Sequence, residues 1–110
     1  MLPKKIAITI RELAEEKKAE DLVVLDVKKQ SSFAQYFIIT HGNTERHVNA
    51  IAEEIASGMK KKGEPVWQIE GLRESKWVLL DFGSVVVHVF LKELRSFYAL
   101  ESLWGDSKRI

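Results

Sequence analysis

Cysteine is absent from the 110-residue chain. That excludes disulfides, thiol catalysis and Cys-ligated zinc. No apolar run approaches the roughly 18–20 residues that cross a bilayer. The opening stretch, MLPKKIAITIRELAEEKKAEDL, lacks a secretory h-region, and its acidic residues argue against a transit peptide, so a cytosolic protein is expected. An excess of either charge is also missing: Lys+Arg 17 against Asp+Glu 16 leaves +1. Proteins held mainly by phosphates carry a basic stripe or a pI above about 9. The dense basic run here, Lys60-Lys61-Lys62, falls where a helix should end and compensates its dipole.

What is present fits one globular domain over residues 1–110. Hydrophobic residues make up 45% and charged residues 30%, ordinary values for a globular chain. Pro3 suits a helix first turn, and Ile6, Ile10, Leu13 and Ala14 recur as one apolar stripe. Leu22–Val27 and Tyr36–Thr40 read as strands separated by the polar KKQSSFAQ. Asn43 or Thr44 caps the clearest helix, which buries Val48, Ile51, Ala52, Ile55 and Met59 and stops at Gly63.

Val66–Glu70 follows Pro65 as a third strand, and WVLLDFGSVVVHVF supplies two more before a short helix and an aromatic tail. The order α-β-β-α-β-β-β-α predicts an α/β fold with a mixed five-stranded sheet flanked by helices. Strands flanking the central helix should be parallel and the last pair an antiparallel hairpin.

With Phe82-Gly83 as the hairpin tip, Leu80 faces Val85, Leu79 faces Val86 and Trp77 faces His88. Alternation then gathers Val78, Leu80, Val85, Val87 and Val89 on one aliphatic face. Trp77, Leu79, Asp81, Val86, His88 and Phe90 share the other. That second face either packs under a helix, with internal hydrogen bonds for Trp77 and His88, or opens to a partner. Composition leaves both readings standing.

Catalytic chemistry finds little support. Asp81-Phe82-Gly83 matches the kinase DFG letters without the other kinase segments, so it is coincidence. His41 and His47 stand six apart across a helix start, unlike the i, i+4 pair of a zinc helix, and no metal site is expected. Ser31, Ser32 and Ser84 have no nucleophile elbow. Asp26 and Asp81 sit on different strands, without the close carboxylates that hold Mg²⁺. The turn in THGNTERH could offer amides to an anion, but an ordinary capped helix explains it as well. A small nucleotide-binding enzyme using that turn is the competing class.

The ordered blocks DLVVLDV, SSFAQYFIITHGNTERHVNAIAEEI, GEPVWQIEGLRESKWVLLDFGSVVVHVFL and LRSFYALESLWGD closely resemble the ribosomal silencing factor family, also called Iojap-like. The likeness runs from about Asp21 to Asp106. It implies a nucleotidyltransferase-like, non-catalytic fold, no enzyme activity and no cofactor. It further implies a translation repressor that binds the large ribosomal subunit through ribosomal protein number fourteen and blocks joining of the small subunit when nutrients are scarce. Mitochondrial relatives act instead in large-subunit assembly.

Carried onto matching positions, the family's contact surface comprises Trp77, Leu79, Asp81 and Phe82, completed by Tyr98, Leu100, Leu103 and Trp104. Lys92 and Arg95 would pair with acidic groups at its rim. The resemblance also allows a minor rRNA contact and a homodimer, the latter aided by Val66 to Ile69 as an edge strand. Without a bilayer-spanning run no membrane association is expected, and the lack of a transit peptide favours a bacterial cytoplasm over an organelle.

Overall fold

Two amphipathic helices and a sheet carry the aliphatic stripes seen in the sequence. The computed structural model describes residues 1–98 and 108–110, the side chains of 97 and 98 excepted. In chain order the elements are α1 (Pro3–Glu16), β1 (Glu20–Asp26), β2 (Tyr36–Gly42), α2 (Glu45–Lys61), β3 (Gln68–Glu70), β4 (Trp77–Asp81), β5 (Val85–Leu91), α3 (Lys92–Tyr98) and β6 (Lys108–Arg109).

The sheet is mixed, with strand order β3-β4-β5-β2-β1-β6. It has six strands where five were expected. β6 pairs Leu25 with Arg109 and Asp26 with Lys108. Two charged, exposed residues carry no hydropathy signal, and only backbone pairing reveals them.

Pro3 opens α1, and its buried residues Ile6, Ile10, Leu13 and Ala14 form the expected stripe. Thr44, rather than Asn43, caps α2, accepting from the His47 N–H at 3.0 Å. At the other end Gly63 adopts φ +82°, while the Glu64 N–H returns to the Met59 carbonyl at 2.9 Å. This satisfies carbonyls that a helix end leaves open, and Lys60 and Lys61 occupy the last turn, where cations complement the dipole.

Val48, Ile51, Ala52, Ile55 and Met59 of α2 join the α1 stripe, Val24, Ile38, Val78, Leu80, Val85, Val87 and Val89 in one core layer. Both long helices therefore cover the same sheet face. The opposite face holds a second, smaller layer of Leu25, Val27, Ala34, Phe37, Ile39, Val86 and Phe90.

The parallel pair at the centre is β2 with β5, from Tyr36↔Val85 to Gly42↔Leu91. β3 runs in the same direction as β2, as the α2 crossover requires, but lies two strands further out.

The last hairpin pairs Trp77 with Phe90, Leu79 with His88 and Asp81 with Val86, two residues away from the expected register. The loop is Gly83-Ser84, closed by the Phe82 N–H donating to the Val85 carbonyl at 2.9 Å. Gly83, at φ +85°, takes the first loop position, where the primed two-residue turns require positive φ. A shift of two preserves which face each side chain occupies, so both predicted face sets hold.

Candidate functional site

The second sheet face is built around an aromatic stack. Trp77 lies across from Phe90, with ring centroids 4.9 Å apart. His88 sits next to both, and its ring meets Phe37 edge-on at 5.6 Å.

The Trp77 indole N–H donates to His88 Nδ1 at 3.1 Å. His88 Nδ1 is therefore an acceptor, and the neutral ring carries its proton on Nε2. His88 is 7% exposed, and burial pushes its pKa down to about 4. A neutral imidazole thus fixes the edge of the tryptophan near physiological pH. Trp77 and Leu79 are half-buried and packed on this layer together with Leu94 of α3. Asp81, at the end of the same row, accepts from the Gly83 N–H at 2.7 Å through Oδ1.

Local backbone holds the row in place. Gly71, at φ +82°, approaches so closely that a Cβ there would fall 2.1 Å from the Trp77 carbonyl oxygen. The intervening turn is tied down at Ser75, whose hydroxyl donates to the Leu72 carbonyl at 2.7 Å and accepts from Asn49 of α2 at 3.2 Å.

The sequence-derived set divides. Trp77, Leu79 and Asp81 form a row along β4, as strand alternation predicts. Phe82 does not join it: the ring is 6% exposed and belongs to the core layer under α1 and α2. Alternation turns residue 82 to the face opposite residue 81.

Arg95 is no rim cation. It is 9% exposed, and its Nη1 donates to His41 Nδ1 at 2.9 Å and to the Glu20 carbonyl at 3.3 Å. A guanidinium needs several acceptors when desolvated, and the ends of β1 and β2 supply them. Lys92 is exposed, and its charge, behind the Asn43 and His41 hydrogen bonds, helps hold the Glu20 carboxyl below its usual range. Tyr98 ends α3; its side chain and residues Leu100, Leu103 and Trp104 lie outside the described residues.

Two amides of the HGNTER turn are taken by its own side chains. The Asn43 N–H donates to His47 Nδ1 at 3.1 Å, and the His47 N–H is taken by Thr44. The Asn43 amide donates to Glu20 Oε1 at 2.9 Å, placing a carboxylate beside the turn. That charge opposes an incoming phosphate. Among the described residues no group of three or more His, Asp or Glu side chains is placed to hold a metal ion. Nor is any described helix long and apolar enough to cross a membrane.

Two aromatic side chains escaped the sequence reading. Phe33 and Trp67 are 70% and 77% exposed. Strand alternation puts Trp67 on the core side with Ile69, but the core ends at Phe82, and the indole slides onto Gly83. An aromatic residue just ahead of a short edge strand was the available signal.

Residues 2–110 match the family described as ribosomal silencing factor during starvation. The ribosomal silencing factor RsfS of Bacillus subtilis is 50% identical over 93 residues, covering 84% of this chain and 79% of that protein. A mouse protein named for mitochondrial assembly of the ribosomal large subunit is 34% identical over 95 residues, 84% of this chain but 42% of its own length. The fold matches a crystal structure of a Chromobacterium violaceum protein with TM-score 0.93 and 36% identity, over 96% of this chain and 88% of that one. The resemblance carried by the quoted sequence blocks therefore holds along the chain, and this protein belongs to the ribosomal silencing factor family.

Proposed function

We propose that this protein represses translation by occupying the large ribosomal subunit, docking through ribosomal protein number fourteen and blocking the small subunit. The observation that carries the reading is the Trp77–Leu79–Asp81 row. It presents half-buried apolar surface ending in a carboxylate, with the indole locked by His88. Tryptophans held in this way serve as interface anchors because little rotamer freedom is lost on contact.

The mechanism is occupancy, without turnover or cofactor. Half of the subunits are blocked when free repressor equals its dissociation constant, and the fraction rises by mass action beyond it. Sedimentation of mixed subunits tests it. Excess protein is expected to shift joined ribosomes into separate subunits, and unchanged joining refutes the reading.

A second reading, a role in building the large subunit, is favoured by the name of the mouse relative. It uses the same face at an earlier time. Pulse-labelling of ribosomal precursors in a deletion strain separates the two: delayed large-subunit maturation supports assembly, and normal maturation with excess joined ribosomes in starvation supports silencing.

A further inference from the structure

Phe33 and Trp67 are the aromatic side chains among the described large hydrophobics that stay exposed, and both line one cleft. The cleft measures about 490 Å³ and lies at the tip of the β4–β5 hairpin. That size falls in the roughly 300–1,000 Å³ range of small-ligand sites.

Neither ring is loosely hung. The six-membered ring of Trp67 lies on Gly83, where a Cβ would come within 2.7 Å of it. The Trp67 N–H donates to the Asp81 carbonyl at 2.8 Å. The Phe33 ring rests 6.2 Å from that of Phe37. Its loop is pinned by Ser31 Oγ, which accepts from the N–H groups of Phe33 and Ala34 at 3.2 and 3.1 Å. The Gln35 N–H then ties the loop to the hairpin through the Ser84 carbonyl at 2.8 Å.

The cleft is also lined by the polar Ser32, Gln35, Ser84 and Asp81 and by Lys28, whose Nζ lies 3.6 Å from Asp26 Oδ2. The side chains of Ser32, Gln35 and Ser84 make no hydrogen bond among the described residues. A hydrophobic plug would strip water from these groups and return nothing, a cost of roughly 1–3 kcal/mol per group. A nucleobase answers both features. Its faces stack on aromatic rings, and its edge meets hydroxyl, amide and carboxylate groups.

We propose that this cleft holds one unpaired RNA base bearing an exocyclic amine, stacked on Trp67 and Phe33, with the amine donating to Asp81. Lys28 meets a neighbouring phosphate. A chain of net charge +1 then binds RNA through one or two nucleotides, consistent with its lack of a basic stripe. The inference goes beyond docking on a ribosomal protein and does not rest on it, because the cleft is built from different side chains apart from Asp81.

Fluorescence anisotropy of labelled short RNAs, free of any ribosomal protein, tests it on the full chain. Oligocytidine is expected to bind several-fold more tightly than oligouridine, with the shallow salt dependence of about one phosphate contact, roughly 2.5-fold for a fourfold rise in salt. Trp67→Leu should weaken it about tenfold, the loss of one base stack, with an unchanged circular dichroism spectrum because the side chain is exposed. Asp81→Asn, which keeps an oxygen for Gly83, should bring cytidine down to the uridine level.

Absence of binding by either RNA overturns the proposal, as does Trp67→Leu binding like the parent. Loss of binding to isolated ribosomal protein number fourteen on Trp67→Leu, without any RNA binding, would instead make the cleft a protein contact. Subunit joining, measured separately, decides the docking function whatever the RNA result.

Discussion

Replacing His88 by Gln should change how the stability of this protein depends on pH. In the folded chain the imidazole is neutral, 7% exposed, and accepts from the Trp77 indole at 3.1 Å. Burial lowers its pKa from 6.5 to about 4. The unfolded chain therefore binds more protons between those values, and stability falls as pH drops from about 6.5 towards 4. Each pKa unit is worth ~1.36 kcal/mol, so the full penalty below the folded pKa is about 3 kcal/mol. By pH 4.5 about 2.5 kcal/mol of it has accrued.

Gln keeps an amide oxygen for Trp77 and does not titrate. Urea unfolding followed by far-ultraviolet circular dichroism, at pH 7.5 and 4.5, gives the free energy of each protein. Other titrating groups act equally on both and cancel. The parent is expected to lose about 2.5 kcal/mol relative to His88→Gln over that interval. A difference that stays constant with pH would refute the picture of a desolvated neutral imidazole behind Trp77.

Trp77→Ala should weaken large-subunit binding by about 2 kcal/mol or more, close to thirtyfold, in a filter-binding or co-sedimentation titration; equal affinity removes this residue from the interface. Gly71→Ala forces a side chain into φ +82° and against the Trp77 carbonyl oxygen, so a loss of about 2 kcal/mol or more is expected. Thermal unfolding checks it as a drop of about 10 °C in Tm, and an unchanged Tm would contradict the close approach. Arg95→Ala leaves His41 Nδ1 and the Glu20 carbonyl without this donor, which should cost about 2 kcal/mol in urea unfolding. Glu93→Ala on the same helix, at an exposed position, should cost little, and equal effects would deny Arg95 its tethering role.

The core of this fold was legible because periodicity reports burial directly. The stripes of α1 and α2 and the alternation in β4 and β5 each named the face that packs. Hairpin register was not legible to the residue, since Phe82-Gly83 and Gly83-Ser84 both place a glycine in a two-residue loop. Only positive φ at the first position decides between them.

Arg95 was misread for a related reason. A cation at the end of a helix looks solvent-exposed in sequence, and the buried acceptors that retain it lie on β1 and β2, distant in the chain. Trp77 and its row were foreseeable from composition and alternation. The exposed Trp67 was not, because the limit of a core layer is set by tertiary packing. Glu20, Asn43 and His41 likewise come together only through the β1–β2 pairing.

The central parallel pairing has a consequence for the birth of the molecule. Tyr36 and Val85, neighbours across β2 and β5, are roughly fifty residues apart in the chain, and contacts of such high sequence separation fold late. During synthesis the first hairpin, with both long helices already made, must wait for Leu91 to leave the exit tunnel before its seam can zip. Until then the side of β2 that β5 will cover stands unpaired, an open edge that the nascent chain carries through roughly fifty further residues of synthesis.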